Sequence, residues 1–192
     1  MPKTDPIDKI DLRVGFITSA DKHPDADKLY VLSVDLGEFD LATSTKKTLL
    51  KRTIVSGLVD YYLPDELVGR KVVVFANMKP RKLRGVLSQG MLLAASNSNN
   101  GSIAVEILEA PRKSRPGDRV VVSNAQQSID GKIIAPGLPA LEKPLVKKQK
   151  VIDAFISGLA LDACVAKYNG HSLVSESGGN VSTKSMLSGT VG

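Results

Sequence analysis

The stretch that decides the fold lies near the middle of the chain and reads Asn77-Met78-Lys79-Pro80-Arg81-Lys82-Leu83-Arg84-Gly85-Val86-Leu87-Ser88-Gln89-Gly90-Met91. It stands between two apolar runs, residues 72–76 and 91–95. Because Pro80 lacks a backbone donor and interrupts helices, the cations around it cannot be the wet face of a long helix. The pattern therefore predicts a basic turn between two β-strands.

Four cations lie on this turn, namely Lys79, Arg81, Lys82 and Arg84. Cations concentrated on a short loop create a strong positive field, and phosphate is the usual partner of such a field. A solvated hairpin tip is the alternative interpretation, and the loop alone does not separate the two.

The charge of the whole chain supports a polyanionic partner. The net charge is +6 over 192 residues, but it is distributed unevenly. Residues 1–45 carry five Lys/Arg against nine Asp/Glu, residues 46–119 carry fourteen against six, and residues 120–192 carry seven against five. A basic excess confined to the middle of a chain is typical of nucleic-acid-binding proteins.

Several classes of protein do not fit the sequence. No apolar run is long enough for a membrane span, and the first residues lack the apolar core of a signal peptide. The single cysteine, Cys164, fits a reducing compartment, so we expect a cytoplasmic location. His23 and His171 form no metal-ligand spacing with it, and we expect no metal and no cofactor.

The first two-thirds of the chain predict short β-strands. Runs rich in Val, Ile and Leu occur at residues 12–18, 30–36, 52–55, 71–76, 91–95 and 103–108. Such spacing predicts a small all-β barrel or sandwich. Residues 40–52 and 96–102 are expected to be loops, and residues 23–28 and 64–67 short helical turns. Beyond the proline-rich stretch around Pro136, residues 145–161 show helical spacing.

Several motifs, in order, resemble a known family. They are residues 12–15 (Leu-Arg-Val-Gly), 23–31 (His-Pro-Asp-Ala-Asp-Lys-Leu-Tyr-Val), 54–58 (Ile-Val-Ser-Gly-Leu), 77–91, 116–119 (Pro-Gly-Asp-Arg), 162–170 and 186–189. Together they resemble the tRNA-binding domain of the endothelial-monocyte-activating polypeptide II type, which is appended to aminoacyl-tRNA synthetases. The stretch from Phe39 to Arg52 is longer here than in most relatives.

The resemblance implies a mainly β structure with a five-stranded OB-fold barrel over residues 5–122. A smaller C-terminal domain over residues 123–192 would pack on this barrel. In the family that domain imitates a second subunit, so the resemblance implies a monomer with pseudo-dimeric architecture.

The resemblance also implies a function. It predicts a non-catalytic module that binds tRNA by its shape and raises the tRNA affinity of a parent or partner synthetase, appended at its C-terminus. Methionyl, lysyl and tyrosyl synthetases are the candidates, with methionyl first. The alternatives are a protein-interaction module of a multi-synthetase complex, or a cytokine-like signalling fragment. No catalytic signature of an enzyme stands in the sequence.

The predicted tRNA contacts follow from the basic turn and its neighbours. Cations are expected at phosphates, with Arg84 favoured because a guanidinium binds phosphate bidentately. Hydroxyl and amide groups beside them are expected to donate to phosphate or ribose. The full set is Asn77, Lys79, Arg81, Lys82, Arg84, Ser88 and Ser56, with possible additional contacts from Lys46, Lys47, Lys51, Arg52, Arg112 and Lys113. For Asn77 and Ser88, stabilisation of the turn is the equal alternative.

Overall fold

A computed structural model describes residues 5–40, 48–99, 101–123, 128–129, 132–133 and 146–192. Lys46, Lys47 and residues 134–145 therefore lie outside the described residues, and the expectations for them stay predictions. The described part is mainly β, which confirms the fold class.

The described elements are sixteen β-strands of two to eleven residues, one 3₁₀ helix and two α-helices. The helices are a 3₁₀ helix at Pro6–Lys9, α1 (Pro64–Leu67) and α2 (Gln149–Ile156). The strands are β1 (Leu12–Lys22), β2 (Tyr30–Asp40), β3 (Thr48–Ser56), β4 (Lys71–Phe75), β5 (Arg81–Leu83), β6 (Val86–Ser88), β7 (Met91–Leu92), β8 (Ala94–Asn99), β9 (Ser102–Ile107), β10 (Arg119–Val122), β11 (Ser128–Ile129), β12 (Lys132–Ile133), β13 (Leu159–Asp162), β14 (Val165–Tyr168), β15 (His171–Ser175) and β16 (Ser188–Val191).

Strand β1 organises the first part of the chain. It pairs antiparallel with β2, with β4 and, through Leu12 and Arg13, with β10. Strand β2 pairs in turn with β3 along nearly its whole length. Strand β4 is buried on both faces, because Val73 and Phe75 enter one core cluster while Val72 and Val74 enter the other. The basic turn therefore emerges from a rigid strand.

The C-terminal strands continue the same sheet. Its order runs β3-β2-β1-β10-β15-β14-β13-β16-β8-β9, so the segment 159–191 connects β10 to β8. The described pairings do not close into a barrel. The predicted five-stranded OB barrel and the boundary at residue 122 thus stay predictions.

Aromatic side chains from β4, α2 and β14 pack together in one core cluster. Phe155 of α2 packs edge-on against Phe75 with ring centroids 5.9 Å apart, and it stacks on Tyr168 at 5.7 Å. Leu12 and Leu173 belong to the same cluster and are almost fully buried. These three aromatic side chains therefore contribute to the hydrophobic core.

Local predictions were partly wrong. Residues 48–52 and 96–99 form strands where the sequence predicts loops, and residues 23–28 form turns instead of a helical turn. The predicted helix over 145–161 is shorter, because α2 ends at Ile156 and β13 begins at Leu159. The short helix at residues 64–67 is confirmed.

Candidate nucleic-acid interface

The basic turn is a two-residue β-hairpin. Strands β5 and β6 pair antiparallel from Arg81 with Ser88 to Leu83 with Val86, which leaves Arg84 and Gly85 as the turn. Both have positive φ, 46° and 92° respectively, as a type I′ turn requires. We call residues 79–88 the basic hairpin, and Arg84 stands at its tip.

The cations of the basic hairpin point to solvent. Lys79, Arg81, Lys82 and Arg84 are all exposed. Within the described ranges, none of their side chains forms an ion pair. Their charge is therefore available to an anionic ligand.

A buried histidine anchors the hairpin to β1. His23 is only 4% exposed, and its Nε2 lies 3.1 Å from the carbonyl oxygen of Leu83. Its Nδ1 accepts a hydrogen bond from the backbone N–H of Asp25 at 3.1 Å, so Nε2–H is the donor to Leu83. The sequence motif contained His23, but nothing in it indicated a partner sixty residues away.

Two predicted ligand-binding side chains are engaged inside the protein. Asn77 is buried, accepts from the N–H of Asp11 at 2.8 Å and donates to the carbonyl of Lys9 at 2.8 Å. Ser88 is buried, accepts from the N–H of Val55 at 3.0 Å and donates to the carbonyl of Gly90 at 3.0 Å. These contacts hold the hairpin in place and leave little capacity for RNA.

Lys51 and Arg52, two of the possible additional contacts, differ in their surroundings. Lys51 is exposed, whereas the guanidinium of Arg52 forms a bidentate pair with Glu38. Arg52 also donates to the carbonyl oxygens of Ala76 and Gln89, the latter at 3.2 Å. Arg52 therefore ties β2 and β3 to the segments that flank the basic hairpin.

The remaining predicted residues lie farther away. Arg112 and Lys113 are exposed, and the carbonyl of Arg112 accepts a hydrogen bond from Lys71 at the start of β4. The basic hairpin follows the other end of β4, about 13 Å from Lys71 along that strand. Ser56 ends β3 opposite Tyr30 and is partly exposed.

The structure adds cations that the predicted set of contacts does not contain. The backbone of Val146 donates to the carbonyl of Asn77 at 2.7 Å and accepts from the N–H of Lys79 at 3.1 Å. This short parallel bridge brings the exposed residues Lys147, Lys148 and Lys150 next to the basic hairpin. We call residues 147–150 the lysine segment. Only a contact between distant parts of the chain creates this neighbourhood.

A groove of about 590 Å³ opens beside the base of the basic hairpin. Its polar lining includes two arginine–carboxylate pairs, Arg13 with Asp11 at 3.0 Å and Arg52 with Glu38. A third cation, Lys51, also lines it, and the remaining lining is apolar or amide-bearing and comprises Phe39, Leu50, Ala76, Asn77, Met78, Pro80 and Gln89.

Comparison with protein families identifies the family of the chain. A family model described as "Putative tRNA binding domain" matches residues 12–119, which is more than half of the chain. The chain belongs to the tRNA-binding domain family. The resemblance predicted from the ordered motifs is thereby confirmed, and the basic hairpin lies inside the matched range.

Relatives of this tRNA-binding domain occur inside longer proteins. The chain is 41% identical over 168 residues to the aminoacyl tRNA synthase complex-interacting multifunctional protein 1 of Mus musculus, covering 86% of this chain and 46% of that protein. It is 38% identical over 184 residues to the cytoplasmic tyrosine–tRNA ligase of Xenopus laevis, covering 95% and 30%. The chain thus spans less than half of the length of these curated relatives.

A methionine–tRNA ligase matches a shorter part of the domain. The enzyme of Pyrococcus abyssi is 53% identical over 95 residues, which cover 50% of this chain and 12% of that protein. Methionyl and tyrosyl enzymes both carry sequence related to this domain, as the sequence predicts. The tyrosyl match, however, extends over almost the whole chain.

A solved structure shares the whole architecture. The crystal structure of the C-terminal domain of Plasmodium vivax p43 has a TM-score of 0.76 and 26% sequence identity, and the alignment covers 98% of this chain and 100% of that one. The arrangement of both parts of the sheet is therefore common to the two proteins.

The described residues contain no group of three or more His, Cys, Asp and Glu side chains that could hold a metal ion. Among them, no helix has the length and apolar character needed to cross a membrane.

Proposed function

We propose that this domain binds the phosphate backbone of folded tRNA with the basic hairpin. The observation that carries the proposal is the set of four exposed cations without ion pairs in the described part, with Arg84 at the tip of a rigid turn. Two strands and the buried His23 fix the hairpin, so its charges are held in place before RNA arrives. Such preorganisation reduces the entropic cost of binding.

The conformation of Arg84 supports this role. A left-handed φ costs a non-glycine residue on the order of 1 kcal/mol, and Asn or Gly is usual at this turn position. Strained residues of this kind cluster at functional sites, where the neighbouring structure maintains them. An exposed arginine at such a position presents its guanidinium to a phosphate without a competing partner.

The binding surface extends beyond the hairpin. The lysine segment lies next to Lys79, and Lys51 is exposed at the adjoining groove. Together these cations form one surface, whereas Arg112 and Lys113 lie at the other end of β4 and are expected to contribute less. Asn77, Ser88 and Arg52 are assigned to holding this surface in shape.

The architecture proposed for this surface is the OB fold. The pairings of β1 with β2 and β4, and of β2 with β3, fit four of the five barrel strands. Two hydrogen bonds between Thr53 and Gln89, at 2.8 and 3.0 Å, bring β3 to the segment after β6, where such a barrel would close. The C-terminal domain from residue 123 onward would then give a monomer its pseudo-dimeric surface.

We assign the domain an auxiliary, non-catalytic role in the cytoplasm. Attached to a synthetase, or to a protein that associates with one, it would raise the local concentration of tRNA at a neighbouring catalytic domain. The nearly full-length match to tyrosine–tRNA ligase favours a tyrosyl parent over the methionyl one that the sequence placed first.

A protein-interaction module is the second candidate. It is favoured by the relationship to a complex-interacting multifunctional protein, whose match includes the C-terminal part of the chain. Such an interaction would persist at high salt and would not depend on Arg84.

The test measures binding of a folded tRNA transcript at several salt concentrations. We choose Arg84→Asn because asparagine suits the turn and removes only the charged group. Affinity should fall roughly tenfold, and the slope of log K against log salt should decrease by about one. Arg84→Lys should retain the slope, since it keeps the charge.

Two controls define the outcome. Lys184→Ala removes an exposed cation from the segment between β15 and β16 and should leave binding unchanged. A single-stranded oligonucleotide of equal length should bind more weakly than the folded tRNA. An unchanged salt slope in Arg84→Asn would contradict the proposed role of the hairpin.

A further inference from the structure

We propose that the groove beside the basic hairpin receives one unpaired base of the bound RNA. The base would pack against Leu50 and present its edge to Asp11. This inference deepens the proposed function, on which it rests, because it adds a base-binding pocket to a surface that otherwise contacts only phosphates.

The position of the groove connects it to the phosphate surface. Pro80 lines the groove and directly precedes Arg81 at the start of β5, and Met78 lines it just before Lys79. A nucleotide whose phosphate meets the exposed Lys79 or Arg81 therefore has its base at the mouth of the groove.

The size and the apolar lining suit a nucleobase. Its volume of about 590 Å³ lies within the range of about 300–1,000 Å³ that is typical of small-ligand pockets. Unpaired bases in proteins are held between aromatic or apolar side chains. Leu50 is 45% exposed and lines the groove, and Met78 and Pro80 add apolar surface from a different segment.

Strand geometry separates Leu50 from its neighbour. Leu50 pairs with Glu38, and side chains two residues apart on a strand share a face, so Leu50 stands on the same face as Arg52. Leu49 belongs to the opposite face, is 38% exposed and does not line the groove. These two leucines therefore form a matched pair for an experiment.

The polar end of the groove offers an acceptor. Asp11 is only 5% exposed, and its Oδ2 accepts from the guanidinium of Arg13 at 3.0 Å. Asp11 lines the groove, and its Oδ1 makes no hydrogen bond to the described residues and is not fully enclosed.

A carboxylate oxygen accepts hydrogen bonds and cannot donate them. It therefore favours a base edge with an exocyclic amino group, such as that of cytosine, over the O4 carbonyl of uracil. The ligand class is thus an unpaired base that carries an amino group.

The first experiment compares Leu50→Ala with Leu49→Ala in binding of folded tRNA across salt concentrations. Leu50→Ala should weaken binding roughly fivefold with the salt slope unchanged, because an apolar contact releases no counterions. Leu49→Ala should bind like the wild type. Arg84→Asn, in contrast, should change the slope.

The outcomes separate the two proposals. If the wild type does not bind tRNA, the proposed function fails and the groove proposal fails with it. If the wild type binds but the two leucine variants behave alike, only the groove proposal is overturned. Circular dichroism and urea unfolding of both variants confirm that they are folded.

A second experiment tests the role of Asp11. Oligocytidine and oligouridine of equal length compete with labelled tRNA for the wild type and for Asp11→Asn. Oligocytidine should displace labelled tRNA from the wild type several-fold more readily than oligouridine does. Asp11→Asn should lose most of this preference for oligocytidine. If both oligonucleotides compete equally well for the wild type, Asp11 does not distinguish the two bases.

Discussion

The structure gives Arg52 a different role from the one that the sequence predicts. In the sequence it belongs to a basic run and predicts a contact with phosphate. In the folded chain its guanidinium is bound by Glu38 and by two backbone carbonyls, so its charge is neutralised locally. Charge-assisted hydrogen bonds of this kind stabilise a fold more than neutral ones. We therefore assign Arg52 to stability, and Lys51 beside it to binding.

Replacement of Arg52 tests this assignment. Arg52→Ala should lower the free energy of unfolding by about 2–3 kcal/mol, because it leaves Glu38 and the two carbonyls without their donor. Urea unfolding measures the change. Lys51→Ala, at an exposed neighbouring position, should change stability by less than about 0.5 kcal/mol. If instead Arg52→Ala is fully stable and reduces the salt slope of tRNA binding, the sequence prediction was right.

Two hairpins of the described residues have residues other than glycine and asparagine in left-handed turns. One is the basic hairpin, where Arg84 has a φ of 46°. The other joins β13 to β14, where Ala163 and Cys164 have φ values of 47° and 69° between the paired residues Asp162 and Val165. Neither alanine nor cysteine gains anything from a left-handed backbone, so this second turn costs stability.

The same chemical change should have opposite effects at two positions of the second hairpin. Ala163→Gly should raise the free energy of unfolding by about 0.5–1 kcal/mol, because glycine adopts a positive φ without strain. Ala160→Gly, in the exposed part of β13, should lower it by a similar amount. Chemical denaturation of both variants provides the comparison. A loss of stability in Ala163→Gly would show that the turn is not strained.

Element boundaries were predictable only where the local pattern was strong. The glycine and proline signals placed the basic hairpin correctly, and the apolar runs located β1, β2 and β4. The polar stretch 96–99 predicts a loop, yet it forms the end of β8. It does so because β9 pairs with all of these residues, and β16 pairs with Ala95 and Ser96. A strand that is polar and held by distant partners has no local signature.

At the scale of the whole molecule, a tyrosine ties the two ends of the described chain together. The hydroxyl of Tyr168 donates to Asp5 Oδ1 at 2.5 Å across 163 positions of sequence. Burial, reinforced by the hydrogen bond to Asp5 and by its negative charge, raises the pKa of Tyr168 to about 12. The ring also stacks on Phe155, so the N-terminal 3₁₀ helix, α2 and β14 meet at one residue.

This contact predicts the alkaline stability of the protein. Unfolded tyrosine loses its proton near pH 10, whereas folded Tyr168 keeps it until about pH 12. Its contribution is therefore complete below pH 10 and is lost as the pH rises from 10 to 12. Over that range the free energy of unfolding should fall more steeply in the wild type than in Tyr168→Phe. Parallel slopes for the two proteins would contradict the contact.

The sequence by itself determined the family, the mainly β class and the basic hairpin with Arg84 at its turn. These features depend on local patterns of glycine, proline, charge and apolar residues, which are visible in the sequence without knowledge of the fold. Only the tertiary structure decided which polar groups remain available: it engages Asn77, Ser88 and Arg52 internally, brings the lysine segment to Lys79 and opens the groove beside Leu50. The reason is physical, since these contacts join residues far apart in sequence, and a local pattern carries no information about which distant groups will meet.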